Sequence, residues 1–165
     1  MSSNININNI VHVYESQKKI LYGKEHEGIL EKAIIDVKQD IVISSLSITN
    51  VIDSNLLTLI EKKFKEGIVF NFIYYEQANP KSELSMKNLT YLSYLGNKFN
   101  FYGKINLLGN TKKFSEHSKV LIVDNSYMWC GSCNWLSNKW FDQRDITSLC
   151  TDCDEIKNLR NKIFN

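Results

Sequence analysis

The 165-residue sequence lacks the features of a secreted or membrane-spanning protein. Its N-terminus has no basic segment followed by a long apolar core, as a secretory signal requires. Its longest apolar runs, such as residues 68–75, are far too short to cross a membrane. We therefore expect a cytoplasmic protein without a membrane anchor, whose four cysteines are reduced thiols.

The sequence also lacks a large excess of either charge, since it has 20 basic and 18 acidic residues and a net charge of +2. Arg144 and Arg160 are the only arginines, and Pro80 is the only proline. Because charge is nearly balanced, there is no strong overall attraction to nucleic acid, and any basic binding surface must be local. Length and a hydrophobic content of 43% predict one globular domain over residues 1–165, with a loose start over residues 1–10.

Helical and strand patterns alternate along the chain. Apolar spacing predicts helices over residues 25–39, 55–67, 83–98 and 154–164, and a short helix from about residue 135. Runs of β-branched and aromatic residues predict strands over residues 40–48, 68–75, 99–109 and 145–150, and a hairpin over residues 118–131 that turns at Asp124. This alternation predicts an α/β fold in which helices flank both faces of a mixed sheet.

The hairpin carries an unusual set of polar residues at its open end. His117 and Lys119 are two residues apart, and so are Ser132 and Asn134, so each pair shares one face of an extended chain. If the two segments are neighbouring strands, all four side chains converge. The ammonium, hydroxyl and carboxamide suit the oxygens of a phosphate, and the imidazole can attack it or transfer a proton.

Two acidic residues nearby have different predicted roles. Asp124 lies an odd number of residues from Lys119 and in the turn, so we interpret its carboxylate as a structural cap for turn amides. Asp145, at the start of the next strand, is the candidate acid that accepts a hydrogen bond from His117 and fixes its tautomer.

These residues resemble the HKD signature of the phospholipase D superfamily. The match runs from His117-x-Lys119 through Asp124 to Gly131-Ser132-x-Asn134, and Gln143-x-Asp145 is similar to the Asn-x-Glu that commonly follows. The resemblance implies that Asp124 and Gly131 are structural and that His117, Lys119, Ser132, Asn134 and Asp145 are catalytic. The order of elements before the motif is similar as well.

The resemblance implies a metal-independent phosphodiesterase without a cofactor. Because the chain has one motif, it also implies a homodimer in which the two copies of His117 act as nucleophile and leaving-group acid. We interpret the protein as an endonuclease for DNA or RNA. The alternatives are a phosphatidyl-lipid hydrolase and a catalytically silent phosphate-binding module. Membership of a larger nucleoprotein, ATPase, restriction or defence assembly is also open.

The four cysteines present a second possible site. Cys130-x-x-Cys133 and Cys150-x-x-Cys153 have the spacing of a zinc ribbon. However, Cys130 and Cys133 would face opposite sides of a strand, which disfavours one tetrahedral ion. We expect buried free thiols and no metal.

Residues around the motif are candidates for contact with nucleic acid. Trp135 and its aromatic neighbours either stack on unpaired bases or pack in the core. Lys112 and Lys113 either contact a phosphate or lie in a solvated loop. His26, on a predicted helix, is expected at the surface.

Overall fold

The structure is a computed structural model that describes residues 19–49, 51, 55–74, 83–109, 119–137 and 144–164. Within these residues, seven strands form one mixed sheet in the order β1-β7-β6-β5-β2-β3-β4. The strands are β1 (Ile20–Tyr22), β2 (Asp40–Ser45), β3 (Val69–Tyr74), β4 (Lys104–Leu108), β5 (Lys119–Val123), β6 (Tyr127–Gly131) and β7 (Ile146–Cys150). The helices are α1 (Ile29–Asp36), α2 (Asn55–Lys65), α3 (Glu83–Lys98) and α4 (Cys153–Phe164).

The directions of the strands show which strands begin and which end on each of the two sides of the sheet where strand termini lie; we call these two sides edges. β2, β3 and β4 are parallel, whereas β5 is antiparallel to β2, and β6, β7 and β1 continue the antiparallel order. The carboxyl ends of β2 and β6 therefore lie at the same edge as the first residues of β5 and β7. We call this the motif edge, and the other end of the sheet the opposite edge.

The predicted α/β class and the helices on both faces are confirmed. Apolar side chains of α1, α2 and α3 pack with Leu121, Trp129 and other residues on one face of the sheet. Ile156 of α4 packs with Val120, Ile122 and Met128 on the other face. Alternate residues of β5 thus enter different cores, as the period of two in a strand requires.

Several element boundaries differ from the sequence prediction. The predicted helix over residues 25–39 is instead a short 3-10 helix, Gly23–His26, followed by α1. Gly28 separates them because its φ of 77° is left-handed, a conformation that glycine adopts without a steric penalty. β4 begins five residues later than predicted, after a turn, and the described residues from Trp135 to Ser137 form a turn rather than a helix.

Strand β1 was not predicted. Its three residues pair with β7 through Ile20–Ser148, Leu21–Thr147 and Tyr22–Ile146. A run of three residues shows too little alternation to indicate a strand, and only the pairing with β7 defines it. The expected loose segment over residues 1–10 lies outside the described residues.

Candidate active site

Lys119 lies at the motif edge as the first residue of β5, opposite Gly131 of β6. Only 4% of its surface is exposed, and the ammonium has an electrostatic interaction with Asp145. Burial lowers the pKa of Lys119, and the negative charge of Asp145 partly opposes this shift. A lysine held in this way presents a positive charge that is poorly shielded by water, which favours binding of an anion.

Gly131 allows β6 and β7 to approach closely at this edge. A Cβ atom at this position would lie 2.1 Å from the carbonyl oxygen of Ile146 and 2.6 Å from the Cα of Thr147. Both distances are far below van der Waals contact. The glycine of the motif is therefore required by the short distance between β6, which Ser132 follows, and β7, which Asp145 precedes.

Ser132 links the end of β6 to Asp145. Its hydroxyl donates to Asp145 Oδ1 over 2.9 Å and accepts from the backbone N–H of Ile146 over 3.0 Å. The backbone N–H of Ser132 also donates to the Ile146 carbonyl over 3.0 Å. One hydroxyl thus uses its donor and one of its acceptor positions to hold the carboxylate against the start of β7.

Asn134 is fixed from the other side of the site. Its Oδ1 accepts from the backbone N–H of Leu46, just past the end of β2, over 3.0 Å. The following segment is tied to the same region, because Leu136 N donates to Ser45 Oγ over 3.2 Å. With Oδ1 engaged, the Nδ2 hydrogens of Asn134 form no hydrogen bond with another described residue and can donate to a phosphate oxygen.

The path of the chain brings these groups together around the start of β5. β5 lies between β6 and β2 in the sheet. The segment that follows Gly131 of β6 accepts a hydrogen bond from Leu46, which directly follows β2. The segment therefore crosses the motif edge at the position of β5, where Lys119 begins the strand. Lys119, Ser132, Asn134 and Asp145 therefore share this edge.

One detail of the parity argument was wrong. Ser132 and Asn134 do not share the face of a strand, because β6 ends at Gly131 and both residues lie in the irregular segment that follows. Ser132 bonds towards β7, whereas Asn134 bonds towards β2. They flank the start of β5 from its two sides.

Asp124 lies at the opposite edge, in the turn between β5 and β6. Its carboxylate accepts backbone hydrogen bonds from Lys38, Gln39 and Asp40 over 2.8–3.2 Å, and its φ is 52°. The carboxylate therefore ties the hairpin turn to the start of β2. The amides that it binds belong to the turn before β2 rather than to its own turn.

Trp135 was suggested as a contact with nucleic acid, and this suggestion was wrong. Its side chain is fully buried in the core, so its faces cannot stack on a base. The alternative of core packing holds for Trp135, and for Trp129, which is 1% exposed. His117, Lys112, Lys113 and Gln143 lie outside the described residues.

His26 is a buried residue beneath the site, which corrects its expected surface position. Nδ1 lies 2.7 Å from the Gly23 carbonyl, Nε2 lies 2.7 Å from Thr147 Oγ1, and the ring meets that of Trp135 edge-on at 5.8 Å. A carbonyl only accepts, so Nδ1 carries the proton, and in the neutral ring Nε2 accepts from the Thr147 hydroxyl. The sequence gives no signal for this position, because it depends on the unpredicted strand β1.

The connection from His26 continues to Asp145 through the backbone. Gly23, whose carbonyl binds His26, donates its own N–H to the Asp145 carbonyl over 3.0 Å. Thr147, two residues beyond Asp145, pairs with Gly131 across the sheet. The buried imidazole thus supports the strand start on which Asp145 lies.

Three of the cysteines pack in two separate regions of the core, whereas Cys153, at the start of α4, is exposed and not buried as expected. Cys133 is fully buried in the core on the side of α1, whereas Cys130 and Cys150 pack against the core on the side of α4. Burial raises the pKa of Cys130 to about 11 and that of Cys133 to about 12, so both are neutral thiols near pH 7. Within the described ranges, no group of three or more His, Cys, Asp or Glu side chains is arranged to hold a metal ion.

Comparison with known proteins finds similarity in structure only. No family model matches the sequence, and no curated protein matches it. NucT from Helicobacter pylori is 19% identical, with a TM-score of 0.62 over 86% of this chain and 89% of that one. The phospholipase D family member Nuc from Salmonella typhimurium is 18% identical, with a TM-score of 0.63 over 87% of this chain and 88% of that one.

The chain has a phospholipase-D-like fold. The resemblance read from the motif is thus confirmed at the level of the fold. TrmBL2, an archaeal chromatin protein described as showing a novel mode of DNA binding, is also similar, at 11% identity and a TM-score of 0.55 over 98% of this chain and 53% of that one. No helix within the part of the chain that the structure describes is long and apolar enough to cross a membrane.

Proposed function

We propose that the protein is a metal-independent phosphodiesterase that hydrolyses DNA or RNA as an endonuclease. The observation that carries this proposal is the grouping of Lys119, Ser132, Asn134 and Asp145 at one edge of a phospholipase-D-like fold. Similarity in structure to NucT and Nuc, over 86–89% of each chain, supports an enzyme of this type.

The phosphate is bound by Lys119 and Asn134 in this proposal. The Lys119 ammonium neutralises charge that develops on the non-bridging oxygens in the transition state, and Asn134 Nδ2 donates to one of them. Both groups are held before substrate arrives, Lys119 by burial and Asn134 by its bond to Leu46. Such preorganisation avoids the cost of reorienting polar groups during the reaction.

His117 is the proposed nucleophile, and its role rests on the resemblance. A ring nitrogen of His117 forms a bond to phosphorus while the bond to the leaving oxygen breaks, and that oxygen takes a proton from a second His117. Water then attacks the phosphohistidine, giving up its proton to the second imidazole, and releases the first. Asp145 accepts from His117 in this scheme, while Ser132 holds the carboxylate in place.

The second His117 comes from another copy of the chain in this proposal, so the active species is a two-fold homodimer. Trp135 is buried, so it supplies no exposed aromatic surface for the interface. Ile20, Tyr22 and Ile146 are instead 44–53% exposed on neighbouring strands next to Asp145. We place part of the dimer interface on this apolar surface, since it adjoins the site that the second copy must complete.

Hydrolysis of a phosphatidyl lipid is the second candidate, and it is favoured by the family name of the similar Nuc structure. A silent phosphate-binding module, alone or in a larger assembly, is the third. Purified protein should be incubated with single- and double-stranded DNA and RNA, and separately with phosphatidylcholine vesicles, each with EDTA or Mg²⁺. Lys119→Ala is the inactive control.

We expect internal cleavage of a nucleic acid in the presence of EDTA, and its loss in Lys119→Ala. Release of lipid headgroup without cleavage of any nucleic acid would assign the lipid alternative. Binding of nucleic acid without hydrolysis of either substrate would favour the silent module. Activity that EDTA abolishes and a metal restores would contradict the metal-independent mechanism.

A further inference from the structure

An exposed aromatic cluster lies between α3 and β4, far from the candidate active site. Phe101 is 70% exposed, Tyr94 51% and Tyr102 47%. The rings of Phe101 and Tyr102 are 4.4 Å apart, and Phe99 beside them packs against the core. Single exposed apolar residues are common, but several neighbouring exposed rings are typical of a surface that contacts a ligand or another macromolecule.

The turn that presents these rings is fixed by close backbone contacts. A Cβ atom on Gly103 would lie 2.3 Å from the Ile68 carbonyl oxygen and 2.8 Å from that of Phe64, so the backbone packs directly on the end of α2. The Tyr102 N–H also donates to the Phe99 carbonyl over 3.0 Å. The rings are therefore held on a defined turn, which lowers the entropy lost when a ligand binds.

Lysines surround the rings. The Lys98 ammonium lies 5.1 Å from the centre of the Tyr94 ring and 5.2 Å from that of Phe99, and it donates to the Tyr94 hydroxyl over 2.6 Å. Lys104 and Lys65 are exposed close by, at the start of β4 and the end of α2. Glu66, the acidic residue next to Lys65, forms an ion pair with Lys63 at 3.2 Å.

A groove of about 480 Å³ adjoins the cluster between α3 and β4. Its lining includes Ser93, Asn97, Asn100 and Lys104. Carboxamides both donate and accept hydrogen bonds, as the edges of unpaired bases do. Aromatic rings, ammonium groups and carboxamides thus lie near one another at the end of α3 and the start of β4. We call Tyr94, Asn97, Lys98, Asn100, Phe101, Tyr102 and Lys104 the aromatic–lysine surface.

We propose that the aromatic–lysine surface binds an unpaired segment of a nucleic acid. Bases stack on Phe101 and Tyr102, Lys98 and Lys104 contact phosphates, and Asn97 and Asn100 hydrogen-bond to base edges. Among the described residues, Glu66 beside the lysines is paired with Lys63, so the surface carries a net positive charge, which favours a polyanion as the ligand. Its role in substrate capture rests on the proposed nuclease activity, but the binding itself does not.

The aromatic–lysine surface is distinct from the motif edge. β4 is parallel to β2 and is the last strand of the sheet, so its first residue, Lys104, lies at the opposite edge from Lys119. A strand of nucleic acid bound here is held several nucleotides away from the site of cleavage. The surface is therefore expected to select long, unpaired substrates without contributing to the chemical step.

Fluorescence anisotropy with a labelled 20-nucleotide oligothymidylate and a matched duplex tests the binding. We expect Phe101→Ala and Tyr102→Ala each to weaken binding of the single strand about tenfold and to affect the duplex less. Ile35→Ala is the matched control, since Ile35 is a 50% exposed apolar residue on α1. Lys98→Ala should reduce the salt dependence by about one phosphate contact, whereas Lys98→Arg should preserve it.

Hydrolysis of a small diester separates this proposal from the proposed activity. Bis(p-nitrophenyl) phosphate is too short to reach the surface, so its turnover should be unchanged in Phe101→Ala while cleavage of long single strands falls. Unchanged oligonucleotide binding in both ring variants would overturn the proposal, whether or not the small diester is hydrolysed. Loss of binding in the ring variants of a chain that hydrolyses nothing would uphold the surface and refute the nuclease.

Discussion

Lys119 and Asp124 lie at opposite ends of the same strand, since Lys119 begins β5 and Asp124 directly follows its last residue. Lys119 is a buried cation at the motif edge, whereas the Asp124 carboxylate binds three backbone amides at the other edge. We therefore expect these two residues of one sequence motif to have separable effects, Lys119 on the proposed chemistry and Asp124 on stability.

Substitution of Asp124 should lower stability without changing the chemistry. We expect Asp124→Ala to reduce the free energy of unfolding by roughly 2 kcal/mol, through loss of the amide contacts and an alanine at positive φ. Asp124→Asn keeps an acceptor and tolerates this φ, so it should cost less. Urea denaturation measures the free energy of unfolding of both variants. Turnover per folded molecule should stay within about twofold of the wild type. A folded Asp124→Ala protein without activity would contradict the structural role.

The lowered pKa of Lys119 predicts an alkaline limit to activity. In the proposed function the protonated ammonium binds phosphate, so kcat/KM should fall as pH rises through a pKa below that of an ordinary lysine. The charge of Asp145 raises this pKa, so Asp145→Asn should move the alkaline limb to lower pH, whatever its effect on the maximum rate. Glu83→Gln, which removes an exposed carboxylate on α3, is the control; a limb that moves upward in Asp145→Asn would refute the coupling.

A side chain at Gly131 should disrupt the pairing of β6 with β7. We expect Gly131→Ala to reduce the free energy of unfolding by about 3 kcal/mol or more, because its Cβ would overlap the Ile146 carbonyl. Gly96→Ala is the control in α3, where the new Cβ would meet the Ile105 side chain at 3.1 Å and alanine favours the helix. Its stability should change by about 1 kcal/mol or less, and equal effects of the two substitutions would contradict the close approach at Gly131.

Removal of the buried imidazole should destabilise the β1–β7 side of the site. We expect His26→Ala to lower the free energy of unfolding by about 2–4 kcal/mol, since two buried hydrogen bonds and the contact with Trp135 are lost. Thr147→Val removes only one of these bonds and should cost less. Thermal unfolding gives the ranking, and hydrogen exchange should show faster exchange at Gly23; unchanged exchange there would count against the proposed support.

Mixed dimers test the shared site. An excess of His117→Ala chains, allowed to exchange with wild type, should suppress activity more than dilution does, because each mixed dimer holds one His117. Sedimentation should show a particle of about twice the 19.2 kDa chain. Tyr22→Lys should weaken the association, with Tyr94→Lys as an exposed control on α3; a fully active monomer would exclude the shared site.

The sequence by itself determined the features that depend on local pattern. Helix α3 and the hairpin of β5 and β6 were predicted because apolar spacing and turn residues act over a few positions. The alternation of helices and strands predicted the α/β class, and the resemblance of residues 117–134 to the phospholipase D signature implied the type of fold. The position of Asp124 in the turn that follows β5 was also predicted from the sequence.

Only the tertiary structure decided which side chains meet at the site and which are buried. Asn134 is oriented by Leu46, 88 residues earlier, and His26 by Thr147, 121 residues later. Tryptophan is a residue type that often stacks on bases, but Trp135 packs against His26 in the core. His26 lies in the 3-10 helix that directly follows β1, a strand that is too short to predict from the sequence. The physical reason is that periodicity shows which face of an element is apolar, whereas packing of distant elements determines what that face meets.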